Sequence, residues 1–187
     1  MTRDFILAAC RDIIYRYGLQ RLLIDEVASR CGTSKKTIYE LFGSKELLIE
    51  CLGSTFLKQE KEEFLAGIQQ PGPLRNKLQF IIDHLLSLSE IIPIGELEYL
   101  KKKHKINHRM LLQYLEEVSA ELERLLAAGQ SAGEVYPDLE VSTQAKLLFA
   151  QLQYLHTNYR QLILMHPADH WRQHISTTFF RSTFIYL

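Results

Sequence analysis

Residues 25–42 read DEVASRCGTSKKTIYELF and are the most informative segment of this chain for its fold. It contains two short segments with apolar residues at helical spacing, joined by a tight turn at Gly32, and this is the pattern of a helix-turn-helix. The apolar positions that would hold the two helices together are Val27, Ala28, Ile38 and Phe42. The sequence therefore predicts a packed pair of helices whose second member presents polar side chains to solvent.

The second helix of this pair carries a polar and mostly basic surface. Between residues 30 and 45, four basic residues stand against one acidic residue, although the whole chain balances 22 against 22. Ser34 is expected to cap the helix, while Ser44 and Lys45 at the start of the next helix could hold a phosphate on free backbone amides. We predict a small, focused contact with double-stranded DNA through donors suited to the major groove. The exposed set is expected to be Lys35, Lys36, Thr37, Tyr39 and Glu40.

Helical periodicity continues along nearly the whole chain, with no alternating strand pattern. Helix ends or loops are expected at Gly18, at residues 70–73 (QPGP), at Pro93 with Gly95, and over residues 129–137. Together these breaks predict an all-α protein of about nine helices.

The composition excludes several classes of protein. No window approaches the roughly 20 uninterrupted apolar residues of a membrane-spanning helix, so no membrane partner is expected. Cys10, Cys31 and Cys51 are too far apart for a CxxC motif and are predicted to be reduced, buried side chains. The chain lacks a GxSxG elbow, a phosphate-binding glycine loop, a dinucleotide fingerprint and a paired-carboxylate constellation. We therefore expect no enzymatic activity, no catalytic residues and no cofactor.

Residues 6–48 resemble the DNA-binding domain of the tetracycline-repressor (TetR/AcrR) family of bacterial regulators. The resemblance covers about a quarter of the chain without a gap, and it is therefore more specific than helix-turn-helix spacing alone. The matching positions are Ala8-Ala9, Gly18, Val27-Ala28, Cys31-Gly32-Thr33-Ser34, Thr37-Ile38-Tyr39, Phe42 and Ser44-Lys45-Glu46-Leu47-Leu48.

The resemblance implies roles for the polar residues of this run. Thr37 and Tyr39 would lie on the recognition helix, with the Tyr39 hydroxyl on a backbone phosphate, and Lys45 would bind a phosphate from the next helix. Lys35 and Lys36 would reach base edges or phosphates. Phosphate contacts set the register, whereas side chains that reach bases give specificity. The predicted DNA-binding residues are Ser34, Lys35, Lys36, Thr37, Tyr39, Ser44 and Lys45.

The sequence departs from the family pattern in three respects. Leu22-Leu23 stands where Thr or Ser usually caps the second helix, so Asp25 is expected to cap it instead. Lys36 replaces a common glycine, and Leu41 stands where His or Tyr is frequent. These departures leave an alternative open: a helical homodimer that binds a small molecule or a protein without specific DNA binding.

The remainder of the chain, residues 49–187, is interpreted as a helical ligand-binding and dimerisation domain that follows a DNA-binding domain of residues 1–48. Residues 145–165 are apolar on nearly every side, so a second subunit is expected to cover one of those sides. The resemblance implies that the last two helices, about 142–165 and 168–186, form a four-helix interface in a homodimer. The candidate interface residues are Leu148, Leu152, Leu155, Tyr159, Trp171, Ile175 and Phe179.

A pocket for a small-molecule effector in the second domain is also implied by the resemblance. Its candidate lining residues, for each of which an ordinary core position is the competing interpretation, are His84, Leu88, Tyr99, Met110, Tyr114 and Tyr154. Histidines spaced by four, such as His104 and His108, lack the acidic or cysteine ligands of a metal site, so none is expected. The expected protein is a cytoplasmic, homodimeric, ligand-responsive repressor of a palindromic operator.

Overall fold

The computed structural model describes residues 2–92 and 94–185, without the side chains of residues 94, 95, 159, 160, 163 and 168. This part of the chain forms no sheet, only one isolated bridge between Val135 and Phe184, and the all-α prediction is confirmed. A short 3-10 turn, Leu19–Arg21, follows the first helix. The nine helices of the described residues are α1 (Arg3–Tyr17), α2 (Ile24–Arg30), α3 (Lys35–Phe42), α4 (Lys45–Gln69), α5 (Leu74–Ile91), α6 (Ile94–Lys103), α7 (Lys105–Ser131), α8 (Val141–Met165) and α9 (Ala168–Thr183).

The chain divides into two compact units. The first unit comprises Met1–Lys61 and Gly95–Leu112, and the second comprises Glu62–Ile94 and Gln113–Leu187. Helix α4 runs unbroken from Lys45 to Gln69, so the domain boundary expected at residue 48 coincides with no helix end and stays a prediction.

The core of the first unit holds its short helices in place. Helix α1 packs against α2, and α2 packs against α3. Each apolar side chain that is fully buried contributes about 1.5–3 kcal/mol relative to exposure, so this small core is enough to fix the position of α3. The largest fully buried side chains of this unit are Ile6, Ile13, Leu22, Ile38, Leu48 and Ile49.

The start of α2 differs from the prediction. The helix begins at Ile24, and its N-cap, Leu23, makes no side-chain capping hydrogen bond. Asp25 lies two positions past the N-cap, so the prediction that it caps this helix is wrong. Burial of Leu22 and Ile24 fixes where the chain turns helical, and this register places Asp25 inside the first turn.

Helices α6 and α7 meet at His104, although the sequence predicted no break between Gly95 and residue 129. Pro93, part of the predicted break before these helices, lies outside the described part of the chain. Both His104 and Asn107 are buried polar residues of the first unit. The side-chain amide of Asn107 donates to the backbone carbonyl of Ile49 at 2.9 Å, which ties α7 to α4. Polar side chains with tertiary partners therefore hold this region.

The second unit is built around α5, α8 and α9, which pack on one another. Helix α7 continues to Ser131, so the loop predicted to begin at residue 129 starts later. Gly129 lies inside the helix, and because it has no β-carbon, Leu74 and Val135 can pack close to its backbone. The largest fully buried side chains of this unit are Leu78, Ile81, Ile82, Leu122, Leu126 and Leu148.

Membrane-spanning potential is weak in the described part of the chain. No single helix there is long and apolar enough to cross a membrane, and only the broken pair of α5 and α6 passes by length and composition.

Candidate nucleic-acid interface

Helix α3 is fixed at both ends by its own sequence. The Oγ of Ser34 accepts the backbone N–H of Thr37 at 3.1 Å and thereby caps the first turn, as predicted. At the other end, the N–H of Gly43 donates to the carbonyl of Tyr39 at 2.7 Å. Gly43 has a φ of 83°, a conformation that glycine adopts at little cost. The helix therefore presents its side chains from a well-defined backbone.

One face of α3 is buried and the other faces solvent. Ile38 and Phe42 are buried, as are Val27 and Ala28 on α2, the helix against which α3 packs. The turn between the helices contains Gly32 with a φ of 61°. This is the helix-turn-helix that the sequence predicted. On the other side of α3, Lys35, Lys36 and Tyr39 are exposed and Thr37 is half-buried.

The lysines of α3 already have acidic partners in the free protein. Lys35 Nζ lies 2.5 Å from Asp25 Oδ1, across the turn, and Lys36 Nζ lies 3.8 Å from Glu40 Oε1. Arg30 forms a third pair, with Glu26 at 2.9 Å. The local excess of +3 counted over residues 30–45 omitted Asp25 and Glu26, so the free surface is closer to neutral than that count suggests.

The first turn of α4 contains an acidic side chain of its own, that of Glu46. The Oγ of Ser44 accepts the backbone N–H of Leu47 at 3.1 Å. Hydrogen bonds from the Glu46 backbone and the Ser44 side chain lower the pKa of the Glu46 carboxyl. A phosphate at this helix terminus would therefore meet the Glu46 carboxylate. Lys45 is half-buried, and within the described part of the chain it forms no ion pair.

Arg3 is a basic residue near this surface that sequence reasoning missed. Its guanidinium lies 4.7 Å from the centroid of the Phe42 ring, at the end of α3, and Nη2 approaches Cys51 Sγ at 3.7 Å. Arg3 is exposed in spite of these contacts. A basic residue in the first turn of α1 was the only signal in the sequence, and the position over Phe42 depends on tertiary packing.

Comparisons with known proteins agree with this geometry. The family model for bacterial regulatory proteins of the tetR family matches residues 6–52. The repressor NicS of Pseudomonas putida is 28% identical over 170 residues, which cover 87% of this chain and 78% of the relative. These matches identify residues 6–52 as a domain of the TetR type and support a TetR-family regulator. The matched relative is a transcriptional regulator, and these matches support a DNA-binding regulator rather than an enzyme.

Solved structures show the same TetR-family fold over the full length. A transcriptional regulator from Saccharomonospora viridis in complex with choline aligns with a TM-score of 0.82 at 19% identity, covering 97% of each chain. The regulator FadR from Bacillus subtilis in complex with stearoyl-CoA aligns with a TM-score of 0.72 at 18% identity, covering 97% of this chain and 99% of that one. At these identities the likeness establishes the fold alone.

Two of the six candidate pocket residues meet in the second unit. His84 Nε2 and the Tyr114 hydroxyl lie 2.6 Å apart. The rings of Phe64 and Phe80 surround His84, with centroids 5.2 and 6.1 Å from that of the imidazole. Burial lowers the pKa of His84, and the nearby carboxylate of Glu63 acts in the opposite direction. The result is an apolar aromatic cluster with one polar pair inside it.

The other four candidate pocket residues are distributed over both units. Leu88 is a buried core residue of the second unit. Tyr99 and Met110 belong to the first unit, where the Tyr99 ring lies 5.4 Å from that of His104. Tyr154 on α8 is 64% exposed. A pocket lined by all six residues stays a prediction, and the structure brings His84 and Tyr114 of this set into hydrogen-bond contact.

The candidate interface residues are mostly buried inside the chain itself. Five of them have exposed fractions below 10% in the single chain: Leu148, Leu152, Leu155, Ile175 and Phe179. Trp171 is half-buried and donates its indole N–H to the carbonyl of Leu162 at 3.1 Å. The side chain of Tyr159 lies outside the described residues. The exposed apolar side chains of α8 are different ones: Leu147, Tyr154, Leu164 and Met165.

Three histidines form a row of rings where α8 meets α9: His166 directly follows α8, and His170 and His174 lie on α9. The rings of His166 and His170 stack with centroids 4.2 Å apart, and His174 lies 6.5 Å beyond His170. Within the described residues, no group of three or more His, Cys, Asp or Glu side chains is arranged to hold a metal ion.

Proposed function

We propose that this TetR-family chain is a repressor that binds a palindromic operator as a homodimer and releases it when a small-molecule effector binds. The observation that carries the proposal is the capped helix α3, which buries Ile38 and Phe42 and leaves Lys35, Lys36 and Tyr39 on its solvent side. The name of the relative NicS, a transcriptional repressor, supports repression rather than activation.

The ion pairs of α3 suggest how the protein engages DNA. Exposed pairs such as Lys35–Asp25 contribute only about 0–1 kcal/mol, so they are easily exchanged for other partners. A charge-assisted hydrogen bond to a DNA phosphate is stronger, and releasing counterions from DNA adds to it. Lys35 and Lys36 would therefore leave their carboxylates for phosphates or base edges, while Tyr39 and Lys45 bind the backbone.

The exposed face of α8 supports a second copy of the chain as partner. Leu147, Tyr154 and Met165 are 54%, 64% and 65% exposed. They are separated by seven and eleven residues, and at 100° per residue these intervals place them on one face of the helix. Solvation of such a stripe is unfavourable, and a symmetric interface buries the same stripe on both protomers. We propose this face for the homodimer instead of the buried residues that periodicity suggested.

The aromatic cluster around His84 and Tyr114 is the proposed effector site. The two polar groups lie 2.6 Å apart among Phe64 and Phe80, so a ligand could exchange their mutual hydrogen bond for its own. Two neighbours of the same fold were solved with choline and with stearoyl-CoA, which supports the binding of a small molecule by this chain. We place the protein in the cytoplasm, where it would meet its operator.

A binding-site selection tests this function. The purified full chain is incubated with random double-stranded DNA, and the bound fraction is sequenced. The expected result is a near-palindrome with two half-sites about one helical turn or a multiple of it apart. Y39A combined with K45A should weaken binding to that site by at least about tenfold, since two phosphate contacts are lost. K102A on the exposed end of α6 is the control and should leave the site preference intact.

Two outcomes would count against the proposal. Recovery of no enriched sequence would favour the alternative homodimer without specific DNA binding. Equal binding of Y39A/K45A and wild type would indicate attraction by nonspecific charge rather than by a recognition helix.

A further inference from the structure

The contact between α5 and α9 in the second unit, called the seam below, has an arginine at each end, and the two arginines have different partners. At one end, Nη2 of Arg172 donates to Oε1 of Glu90 at 2.6 Å, so that charge is neutralised within the chain. At the other end, the guanidinium of Arg75 lies over the ring of Phe180, 4.7 Å from its centroid. An aromatic ring attracts a cation but does not neutralise its charge.

A groove of about 500 Å³ opens at the Arg75 end of this seam. Arg75 and Arg181 are its two cationic lining residues, one from each helix, and the described part of the chain supplies neither with an ion-pair partner. The remaining lining residues are uncharged and include Gln79 and Ser176. The nearest acid on α5, Asp83, lies outside the lining and accepts a hydrogen bond from Gln79 Nε2 at 3.0 Å.

The chemistry of the two arginines defines what the groove can hold. A guanidinium keeps its charge at any physiological pH and presents a planar fork of donors that matches a carboxylate or a phosphate. Contact with the Phe180 ring restrains the Arg75 side chain and thereby lowers the entropic cost of binding. Two such groups from facing helices, with no acid between them, leave a charge for a ligand to neutralise.

The size of the groove indicates that the ligand is more than an inorganic ion. Pockets for small organic ligands span roughly 300–1,000 Å³, and 500 Å³ lies within that range. Gln79 Nε2 and Ser176 Oγ, 3.1 Å apart, offer further polar groups on the wall. The groove shares no lining residue with the cluster of His84 and Tyr114.

We propose that this groove is a second binding site, separate from the effector site, for a small organic anion. The carboxylate or phosphate of the ligand is held between Arg75 and Arg181, and its organic body lies along Gln79 and Ser176. The proposal does not depend on DNA binding.

Titration of the isotope-labelled full chain with benzoate, phenyl phosphate and the neutral analogue benzamide tests this site. The expected result is saturable binding of the two anions, at least about tenfold tighter than that of benzamide. The side-chain amide signals of Gln79 and Gln173, both in the groove lining, should shift with the same saturation curve.

Matched variants locate the binding. R75Q and R181Q should each weaken anion binding at least about tenfold, whereas R172Q, at the other end of the seam, should bind as wild type does. Arg181 is exposed, so R181Q carries the test if R75Q does not fold. H84F should also leave the anion affinity unchanged.

Four results would overturn the proposal. These are equal affinity for benzamide, wild-type affinity in both R181Q and R75Q, loss of binding in H84F alone, and binding of a hexaglutamate peptide without binding of either small anion. The last result would indicate a protein partner instead.

Discussion

The carboxylate of Glu96 in α6 occupies the space beside Gly18 that a β-carbon would need. Gly18 ends α1 with φ 84° and ψ 159°, a combination essentially limited to glycine. Glu96 also accepts backbone hydrogen bonds from Leu19 and Gln20, the next two residues. A single side chain of α6 thus fixes the connection between α1 and α2 within the first unit.

Substituting Gly18 should therefore reduce the free energy of unfolding by more than backbone strain alone would. G18A is expected to lower the free energy of unfolding by more than the roughly 1–3 kcal/mol of a strained φ/ψ pair, because its β-carbon also displaces Glu96. Urea denaturation measures the loss. G32A provides the comparison, since Gly32 has a φ of 61° but nothing within 4 Å of an added β-carbon.

A double-mutant cycle separates the two contributions of G18A. In an E96A background the clash is absent, so G18A should cost less than in the wild type. Equal costs in the two backgrounds would contradict a role for Glu96.

The protonation of Glu96 should make stability depend on pH. Burial raises the pKa of Glu96 above its ordinary 4.5, although the N–H groups of Leu19 and Gln20 partly oppose the shift. The folded state then binds a proton more tightly than the unfolded state, so stability is lost as the pH rises from 4.5 through the raised pKa. E96Q should remove this part of the pH profile, as measured by denaturation across that range. Parallel profiles of stability against pH for E96Q and wild type would refute this role of Glu96.

The pair of Asp25 and Lys35 should limit the affinity for DNA. D25N frees Lys35 and removes a negative charge beside the DNA, so we expect binding to tighten about two- to fivefold at low salt. K35A should weaken it. Thermal stability should change little in either variant, because an exposed pair contributes about 0–1 kcal/mol. Fluorescence anisotropy on the selected operator measures the affinities, and weaker binding by D25N would be evidence against this competition.

His84 should give the opposite dependence on pH from Glu96. Its buried position lowers its pKa below the ordinary 6.5, so the unfolded state binds a proton more readily than the folded state. Stability is then present above pH 6.5 and is lost as the pH falls below it. The difference between the profiles of wild type and H84Q isolates this contribution from that of His104, whose pKa burial also lowers. If the stability difference between wild type and H84Q stays constant with pH, His84 makes no contribution to the pH dependence of stability.

Local sequence signals predicted most of the helices and the polar face of α3. Ser34 caps its helix and Gly43 ends it through contacts with residues three or four positions away, which can be recognised without knowledge of the fold. The same local reasoning placed the cap of α2 at Asp25, two positions too late, because the start of that helix is set by burial of Leu22.

Periodicity was less informative about what covers each face. It identified Leu148 and Leu152 as apolar residues of α8 but could not distinguish a neighbour in the same chain from a second subunit. Burial in the single chain makes that distinction and directs attention to Leu147 and Tyr154. Likewise, counting charges from residue 30 onward could not include Asp25, which meets Lys35 only because the turn folds α2 onto α3.

The helical class, the helix-turn-helix and the family resemblance can be recognised in the sequence, because caps, glycine turns and apolar spacing act over a few neighbouring residues. Tertiary packing is needed to bring Glu96 against Gly18 and His84 against Tyr114, and to place Arg75 and Arg181 in one groove. The two residues of each pair lie 30 to 106 positions apart in the sequence. Helix packing selects such pairs, and the spacing of residues along the chain carries no signal for them.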